Sequence, residues 1–357
     1  MLSVIRNMDW KLNSAVLVLT AASLAELASI DMGLFWKQLL FVGIGMALML
    51  AITRFDWRSF VNYRGVIMGI YAIILALLAL TLAVAPKING HRSWIKLGGF
   101  QLQASVFAGV ALIIVLASFF RKGHRSIARI STLLHSFAYV AVPAGLIYLQ
   151  GDLASALLMF SIWFGFVLVS GIRWRHLLVL LLVAAIVGGL GWGFFLKSYQ
   201  KERILGLFNP TRDVLGINYH VIQAKIAIGS GGLFGKGFRQ GTQVQLGFLP
   251  EAQTDFIFSA ISEEWGLLAA FAVIGAFFAV IIRIIKIGLD EQNSFNQFVC
   301  LGSVIFFLAS FAFNSGSNVG LLPVMGVPFP FLSYGGSHIL AEFMLLGMIQ
   351  SIKLRNE

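Results

Sequence analysis

Charged side chains are scarce in this chain of 357 residues, where Asp, Glu, Lys and Arg together make up only 11%. Soluble domains carry about 25% charged residues, and no single globular core would hide the 59% of hydrophobic residues found here. The mean hydropathy of +0.88 agrees with this comparison. The composition therefore excludes a soluble protein. It also removes nucleic acid from the candidate partners, because the net charge of +11 would point to nucleic acid only in a soluble chain.

Cysteine is nearly absent as well. Cys300 is the single cysteine and lies inside an apolar block, which excludes an intrachain disulfide and argues against a cysteine-based metal site. The N-terminal segment lacks a small-residue cleavage site after its apolar core, so we expect it to remain in the protein as a signal anchor.

The chain is rich in apolar blocks close to the length of about 20 residues that crosses a bilayer as a helix. We therefore predict an all-α polytopic membrane protein with about ten transmembrane helices in one domain, residues 1–357. The blocks run roughly over Leu12–Ala28, Phe35–Ile52, Val66–Ala85, Gln103–Phe119, Leu133–Leu149, Leu153–Ser170, Leu177–Leu196, Trp265–Ile285, Phe298–Phe313 and His338–Ile352.

Lysine and arginine fall unevenly on the two sides of these predicted spans. Fifteen lie in short connections on one side, four lie on the other side, and seven lie in the long connection between spans seven and eight. Because cytoplasmic loops are enriched in Lys and Arg, we expect both termini in the cytoplasm. The long loop, about residues 197–264, is then expected outside.

A glycine-rich segment, Gly229–Gly241, lies within the long polar stretch Leu207–Gly266. It is not a nucleotide-binding P-loop, since Ser230 stands where that motif needs glycine and Gly237 stands where it needs Ser or Thr. Two cations of this segment remain candidates for binding an anionic headgroup, namely Lys236 and Arg239.

An amphipathic helix is predicted just before it, over Asn218–Ile228. Ile222 and Ile226 are one turn apart and form its apolar stripe, and Lys225 lies off that stripe. Such a helix can lie in the membrane interface.

Asp255 is the first candidate for catalysis. It closes the segment Leu249–Asp255, in which Glu251, Gln253 and Thr254 add a carboxylate, an amide and a hydroxyl about ten residues before a span. Carboxylates at a membrane edge are costly, which favours a function. The alternative is structural, with Asp255 as the N-cap of a helix, and the residues alone leave both interpretations open.

Further polar residues mark the same predicted side. Arg92 and Lys96 flank Trp94, which fits either an interfacial anchor or a phosphate-binding pair of cations. Asp152 interrupts two apolar blocks, either as a turn residue or as a functional carboxylate. The Gly/Pro/Ser-rich segment before the last span, which includes Ser333, must pack in protein or line a wet cavity.

Glu342 lies inside the last apolar block. An intramembrane carboxylate is a functional candidate, although a buried partner such as His135 would also explain it.

Several motifs, spread nearly end to end, resemble those of the SEDS proteins (shape, elongation, division and sporulation). They include Arg92-Ser93-Trp94, Ile226–Gly237, Gly241-Thr242-Gln243, Phe248–Phe258 and Pro328–Ser337. In its glycine-rich and Thr254-Asp255 motifs the chain is similar to the elongation branch of the family rather than to the division branch.

The resemblance implies a ten-helix glycosyltransferase that polymerises lipid II into glycan strands on the outer face of the bacterial cytoplasmic membrane, for cell elongation and rod shape. It matches Asp255 to the family's essential aspartate. The implied partners are lipid II, the nascent glycan strand, a class B penicillin-binding protein that crosslinks the strands, other membrane proteins of the elongation complex, and the lipid bilayer.

The chain departs from the family's motifs at several positions, and three of these departures concern charged or polar side chains. Val106 and Gly109 stand where the family usually has Glu and Lys, and His338 stands where it has Ser. The lost charges place in question the ion pair or cavity lining that they would provide.

Glycosyl transfer needs a base for the acceptor hydroxyl and stabilisation of the diphosphate leaving group. We assign the first role to Asp255 and the second to nearby cations. Asp255 and Asp152 are the candidate ligands if a divalent cation takes part; no other cofactor is expected. The predicted substrate-binding residues are Arg92, Trp94, Lys96, Asp152, Arg203, Lys236, Arg239, Gln243, Glu251, Gln253, Thr254 and Ser333.

Two other functions remain open at this point. One is a flippase for lipid II, which would need a polar route through the bilayer. The other is a non-catalytic scaffold that activates a penicillin-binding protein.

Overall fold

The computed structural model describes residues 6–55, 63–87, 91–98, 100–121, 130–196, 198–209, 216 and 218–355. In chain order its elements are α1 (Trp10–Ile30), α2 (Met32–Thr53), α3 (Arg64–Val84), β1 (Trp94–Leu97), β2 (Phe100–Gln103), α4 (Ala104–Phe120), α5 (Ile130–Leu149), α6 (Leu153–Val169), α7 (Trp174–Leu190), α8 (Ser198–Phe208), α9 (Tyr219–Ser230), α10 (Thr242–Gln245), α11 (Ile257–Glu264), α12 (Gly266–Asp290), α13 (Ser294–Val319) and α14 (Gly336–Leu354).

Ten of the helices in these described ranges have 17 or more residues and coincide with the ten predicted blocks. Seven of them are each long and apolar enough to cross a bilayer, and α4 and α6 are apolar helices of 17 residues. The short helices α8 to α11 all lie in the predicted long loop. The all-α polytopic membrane fold is thereby confirmed.

A small antiparallel hairpin, β1–β2, is an addition that the sequence did not predict. Trp94 pairs with Gln103 and Ile95 with Leu102. Gly98, at the turn, has φ of +62°, a conformation that glycine adopts without strain. The hairpin leads directly into α4.

Helix α4 is the centre of the core. Its side chains are buried along nearly its whole length, and it contacts α3, α5, α6, α13 and α14. Helix α7 is the opposite case, because none of its residues is buried. It continues into one turn of π-helix, Gly191–Phe195.

Glycines allow the close approach of α2 and α14. A Cβ at Gly45 would come within 2.5 Å of the Phe343 ring, and one at Gly347 within 2.9 Å of the Met49 carbonyl oxygen. Small residues at such crossings are typical of membrane helix pairs, which pack through van der Waals contact.

Polar contacts gather at the two ends of the bundle. At one end Asp9 N donates to Gln350 Oε1 at 2.9 Å, and Asp9 Oδ2 pairs with the guanidinium of Arg283 at 2.6 Å. At the other end Gln38 Nε2 donates to Ser333 O at 3.2 Å. The N-terminal and C-terminal segments that the structure describes therefore meet at one end, as an even number of crossings requires.

Candidate active site

The candidate segment Leu249–Phe256 is a series of turns between α10 and α11, and it has a small apolar core of its own. Leu249, Ala252 and Phe256 are buried together with Ala224 and Ala227 of α9. Both flanks of Asp255 are thereby held in place.

The buried face of α9 differs from the predicted one. Ile226 of the expected apolar stripe is 44% exposed, whereas Ala224 and Ala227 are fully buried. Helix α9 packs on α11 and α13 through these small side chains, so the predicted stripe is not its protein-facing side, and its placement in the membrane interface stays a prediction.

The main-chain carbonyl of Asp255 is held by two asparagines of α13. Asn318 Nδ2 donates to Asp255 O at 2.8 Å, and Asn314 Nδ2 donates to it at 3.1 Å. Asn314 also donates to Val327 O at 3.0 Å, so the same side chain ties the turn to the loop that follows α13. These two residues were not among the predicted site residues; their only signal in the sequence is a pair of amides four positions apart in an apolar helix.

The loop between α13 and α14 forms the second support of this turn. Ser333 Oγ donates to Thr254 O at 2.6 Å, and Tyr334 N donates to Gln253 O at 2.9 Å. The irregular backbone expected before the last span thus packs on the Asp255 segment, which is where its main-chain groups find partners.

The carboxylate of Asp255 is partly buried and is not a helix cap. Helix α11 begins at Ile257, its N-cap is Phe256, and no side chain caps it, so the N-cap interpretation is wrong. Burial, and after it the negative charge of Glu251, raise the pKa of Asp255, the positive charge of Arg203 partly opposes them, and the net result is a pKa of about 7. Such a carboxyl group titrates near neutral pH, where a general base is most effective.

Two backbone features lie beside this carboxylate. Glu251 has a positive φ of +53°, which is uncommon for a residue other than glycine, and its Oε2 accepts hydrogen bonds from Thr254 Oγ1 and Gln253 Nε2 at 3.2 and 3.3 Å. A Cβ at Gly326 would lie 3.8 Å from Asp255 Oδ2. Gly326 therefore lies within contact range of the Asp255 carboxylate, and its φ of +74° is a conformation that favours glycine.

Arg203 of α8 approaches the same loop from the other side. Its Nη1 donates to Val324 O at 2.8 Å. Its charge also contributes, after burial, to a lowered pKa of His220. Arg203 is therefore the predicted cation that acts electrostatically on Asp255.

The glycine-rich segment is a helix-capping loop. Lys236 N and Gly237 N donate to the last carbonyls of α11, Glu263 O and Glu264 O, both at 2.9 Å. A Cβ at Gly235 would lie 2.2 Å from Glu264 O. The glycines allow the chain to wrap around the end of α11, which is a structural reason for the motif.

The side chain of Glu263 collects the polar groups of this loop. It is fully buried and accepts from Lys236 Nζ at 2.6 Å, from Thr242 Oγ1 at 3.2 Å and from Gln243 N at 3.0 Å. Lys236 is therefore engaged in an ion pair inside the protein, and Gln243 contributes its main chain.

Glu264 is buried next to it and accepts from Ser29 Oγ, from Arg239 N at 3.2 Å and from Gln245 Nε2 at 2.9 Å. The Arg239 guanidinium donates to Ala28 O at 3.0 Å. These contacts fasten the long loop to the end of α1. Substrate binding by Lys236, Arg239 and Gln243 stays a prediction.

The remaining predicted residues lie around the hairpin. Asp152 is the N-cap of α6, with Ser155 N at 2.9 Å from Oδ1, and it also accepts from Gln103 Nε2 at 3.3 Å. Arg92 N donates to Gln150 O at 2.8 Å. The side chains of Arg92 and Lys96 are exposed and that of Trp94 is partly buried.

Helix α14 carries the intramembrane carboxylate. Glu342 Oε2 accepts from Phe331 N at 2.8 Å, whereas the ring of His135 contacts Ser131 O at 2.6 Å. The predicted Glu342–His135 pair is wrong. Glu342 instead supports the loop at Phe331, whose φ is +60°.

The three departures from the family lie inside the bundle or at its edge. Val106 is buried, and a Cβ at Gly109 would already come within 3.1 Å of Phe306 and 3.3 Å of Met159. Apolar packing thus fills the place of the usual Glu and Lys. His338 is partly buried in the first turn of α14.

The structure therefore sorts the predicted residues into three groups. Asp255, Glu251, Gln253, Thr254, Ser333 and Arg203 belong to one site. Lys236, Arg239 and Gln243 surround Glu263 and Glu264, and Arg92, Trp94, Lys96 and Asp152 belong to the hairpin region. In the part of the chain that the structure describes, no three His, Cys, Asp or Glu side chains form a group that could hold a metal ion, so a divalent cation on Asp255 or Asp152 stays a prediction.

A bundle with seven helices long and apolar enough to cross a bilayer, among the residues that the structure describes, defines a polytopic membrane protein, and Asp255 lies in a loop outside those helices. The chain belongs to the FtsW/RodA/SpoVE family of cell cycle proteins, whose family model matches residues 4–357.

Known relatives extend this assignment. The peptidoglycan glycosyltransferase MrdB of Escherichia coli K12 is 33% identical over 341 residues, covering 95% of this chain and 90% of the relative. A chain of a peptidoglycan synthase complex, whose structure describes the coordination of polymerization and crosslinking, superposes with a TM-score of 0.83 at 29% identity and 98% coverage of both chains. The rod shape determining protein RodA of Thermus thermophilus superposes with a TM-score of 0.73 at 27% identity, covering 97% of this chain and 96% of that protein.

Proposed function

We propose that Asp255 is the general base with which this peptidoglycan glycosyltransferase activates its acceptor. The observation that carries the proposal is a carboxyl group with a pKa raised to about 7, on a turn whose main chain is fixed by Asn314, Asn318 and Ser333. A base that titrates near the working pH and is rigidly placed suits proton transfer in the transition state.

The reaction is a displacement at the anomeric carbon of a lipid-linked donor sugar. Asp255 takes the proton from a hydroxyl group of the acceptor sugar, whose oxygen forms a bond to the anomeric carbon. The bond between that carbon and the diphosphate oxygen breaks, and the diphosphate leaves with the electron pair. Lipid II and the nascent glycan strand are the proposed substrates.

The protein is a multi-pass membrane protein, and we place the Asp255 site on the outer face of the bacterial cytoplasmic membrane with both termini in the cytoplasm. The distribution of Lys and Arg supports this orientation. A reporter enzyme fused after Gly241 should read as outside, and one fused after Arg173 or Arg355 as inside. A cytoplasmic signal at Gly241 would contradict both the orientation and the site.

The proposed protein partner is a class B penicillin-binding protein, together with other membrane proteins of the elongation complex. The superposition on a chain of a peptidoglycan synthase complex supports this partner. Co-purification of the two full-length proteins from membranes tests it.

The decisive experiment compares the parent protein and Asp255→Asn in polymerisation of purified lipid II, alone and with the penicillin-binding protein. Asn keeps the size of the side chain and removes its basicity. Since general-base catalysis contributes about 10²–10⁴-fold, we expect a loss of that order with unchanged folding and partner binding. Ser14→Ala, an exposed change on α1, is the matched control.

Three outcomes would contradict the proposal. Near-normal polymerisation by Asp255→Asn would remove the base assignment. Protein-dependent movement of lipid II across the membrane without polymerisation by the parent would favour a flippase. Stimulation of the partner's crosslinking of pre-formed glycan strands, with no polymerisation by this chain, would favour a scaffold.

A further inference from the structure

A pocket next to the Asp255 site combines two cations with apolar walls. It lies between α8, α9 and the loop after α13, and it has a cavity volume of about 60 Å³. One water needs about 10–15 Å³ on this measure, so the pocket has room for several waters or a phosphate group, and too little room for a disaccharide.

Two cations lie on the wall of the pocket. Among the lining residues that the structure describes, Arg203 and Lys225 are the charged ones. Arg203 is held on Val324 O at 2.8 Å, which fixes one cation on the pocket wall. Two cations on a shared cavity favour an anion with more than one negative charge.

The side chain of Lys225 is available to bind a ligand. Its side chain is exposed, and among the described residues it has no hydrogen bond or ion pair. It lies across Gly320, where an added Cβ would come within 2.5 Å of its Nζ. Gly320 has φ of +74°, so its lack of a side chain both permits the turn and leaves the space that Lys225 uses.

The remaining walls are apolar. Leu207, Val221, Ile222, Pro323 and Val324 line the pocket beside the two cations. A free inorganic anion gains nothing from such walls, whereas a phosphate attached to a prenyl chain buries hydrocarbon against them. The combination fits the junction of a charged headgroup and a lipid tail.

The position of the pocket connects it to the reaction. Arg203 lines the pocket and also acts electrostatically on Asp255. A diphosphate in the pocket would therefore share the cation Arg203 with Asp255, and that cation can stabilise charge that develops on a leaving group.

We propose that the pocket lined by Arg203 and Lys225 binds the diphosphate of the lipid-linked substrate, with Lys225 as a phosphate-binding residue. The proposal rests on the glycosyltransferase function proposed above. When the glycosidic bond to the diphosphate breaks, the departing oxygen keeps the electron pair, and Lys225 and Arg203 stabilise the added negative charge.

The test measures binding separately from catalysis. The full-length protein carrying Asp255→Asn, which does not turn over, is placed in phosphatidylcholine nanodiscs and titrated with a polyprenyl diphosphate. Lys225→Gln should weaken this binding about tenfold, as expected for loss of one hydrogen bond to a charged group, and Lys225→Arg should largely retain it. Lys201→Gln, on α8 but outside the pocket lining, is the matched control and should change binding by less than about twofold.

Two further arms identify the source of the phosphate. Inorganic pyrophosphate should compete weakly with polyprenyl diphosphate, and Lys225→Gln should weaken the binding of pyrophosphate as well. A second set of nanodiscs contains phosphatidylglycerol. If Lys225→Gln leaves polyprenyl diphosphate binding unchanged and instead reduces the binding of phosphatidylglycerol, the pocket holds an anionic phospholipid and the proposal is overturned. Equal binding by all variants overturns it too.

Steady-state kinetics of polymerisation supply a second readout, measured in the parent protein, which retains Asp255. Lys225→Gln should raise KM and lower kcat/KM, and melting temperatures should show that it folds. If Asp255→Asn is active, Asp255 is not the base, but the binding titration still reports whether the pocket holds the diphosphate. The base proposal and the pocket proposal can therefore fail independently.

Discussion

Asn318 Nδ2 lies 2.8 Å from the main-chain carbonyl oxygen of Asp255, across 63 residues of sequence. A second amide, from Asn314, shares that oxygen at 3.1 Å. The acceptor is the main chain, so these contacts fix where the carboxylate is without neutralising it. Position and basicity of Asp255 are thus controlled by different residues.

Replacing Asn318 should therefore change catalysis through position. Asn318→Ala removes the donor to Asp255 O and leaves Ser259 without its acceptor. We expect kcat to fall about 10²-fold, the effect of roughly 1 Å of misplacement, with KM and the pKa of the acid limb little changed. Ser303→Ala on the same helix, whose hydroxyl bonds only within the helix, serves as the control; an equal loss there would mean a general packing defect.

The pH dependence of activity should move in opposite directions when the two neighbouring charges are removed. Glu251 raises the pKa of Asp255 and Arg203 lowers it. Since the base must be deprotonated, Glu251→Gln should shift the acid limb of kcat/KM to lower pH and Arg203→Gln should shift it to higher pH. Profiles that coincide with the parent would show that another group titrates.

The stability of the protein should also depend on pH through the raised pKa of Asp255. The pKa of Asp255 is raised from its usual 3.8 to about 7 in the folded protein, so the folded state holds the proton more tightly. The stability from this group is complete below about pH 4 and is lost as pH rises through about 7. Asp255→Asn lacks this contribution, so its melting temperature relative to that of the parent should rise between about pH 4 and pH 7.

The capping role of the glycine-rich loop predicts a strict requirement at one glycine and tolerance at another. Gly235 has φ of +80° and its Cβ would meet Glu264 O at 2.2 Å, whereas Gly229 has nothing within 4 Å. Gly235→Ala should destabilise by more than about 2 kcal/mol through strain and steric overlap. Gly229→Ala should be neutral or slightly stabilising in α9. Similar melting curves for the two variants would contradict the capping model.

The Lys236–Glu263 pair gives a test of structure against substrate binding. Lys236→Gln leaves the fully buried Glu263 without its cation, and breaking such a pair costs about 3–5 kcal/mol. Adding Glu263→Gln should restore most of this loss of stability. If Lys236→Gln folds normally and only substrate affinity drops, Lys236 is a binding residue, as the sequence predicted.

Helices and spans could be predicted because the apolar blocks report a local property, the transfer of each segment into lipid. Asp255 could be singled out because a carboxylate beside a span is costly. Asn314 and Asn318 could not, since their role depends on a main-chain oxygen 59 and 63 residues away. The sequence excluded a P-loop for the glycine-rich segment but could not show its contacts with the end of α11, because α11 becomes its neighbour only in the folded chain.

The hairpin and the packed face of α9 show a second limit of prediction from the sequence. Trp94–Gln103 has the composition of an interfacial loop, and its strand pairing emerges only when Gly98 turns the chain back. On α9, the periodicity marked the isoleucines but did not show that Ala224 and Ala227 form the side packed on protein. Packing distance is set by the partner and is not encoded in a periodicity.

Helix α7, none of whose residues is buried, has a mechanical consequence. When a helix is not packed tightly against its neighbours, its tilt depends on how its apolar length compares with the thickness of the surrounding hydrocarbon. The next helix along the chain is α8, which carries Arg203. The thickness of the host membrane is thereby a variable in the geometry of this enzyme, and comparisons of its activity are meaningful only between bilayers of equal acyl-chain length.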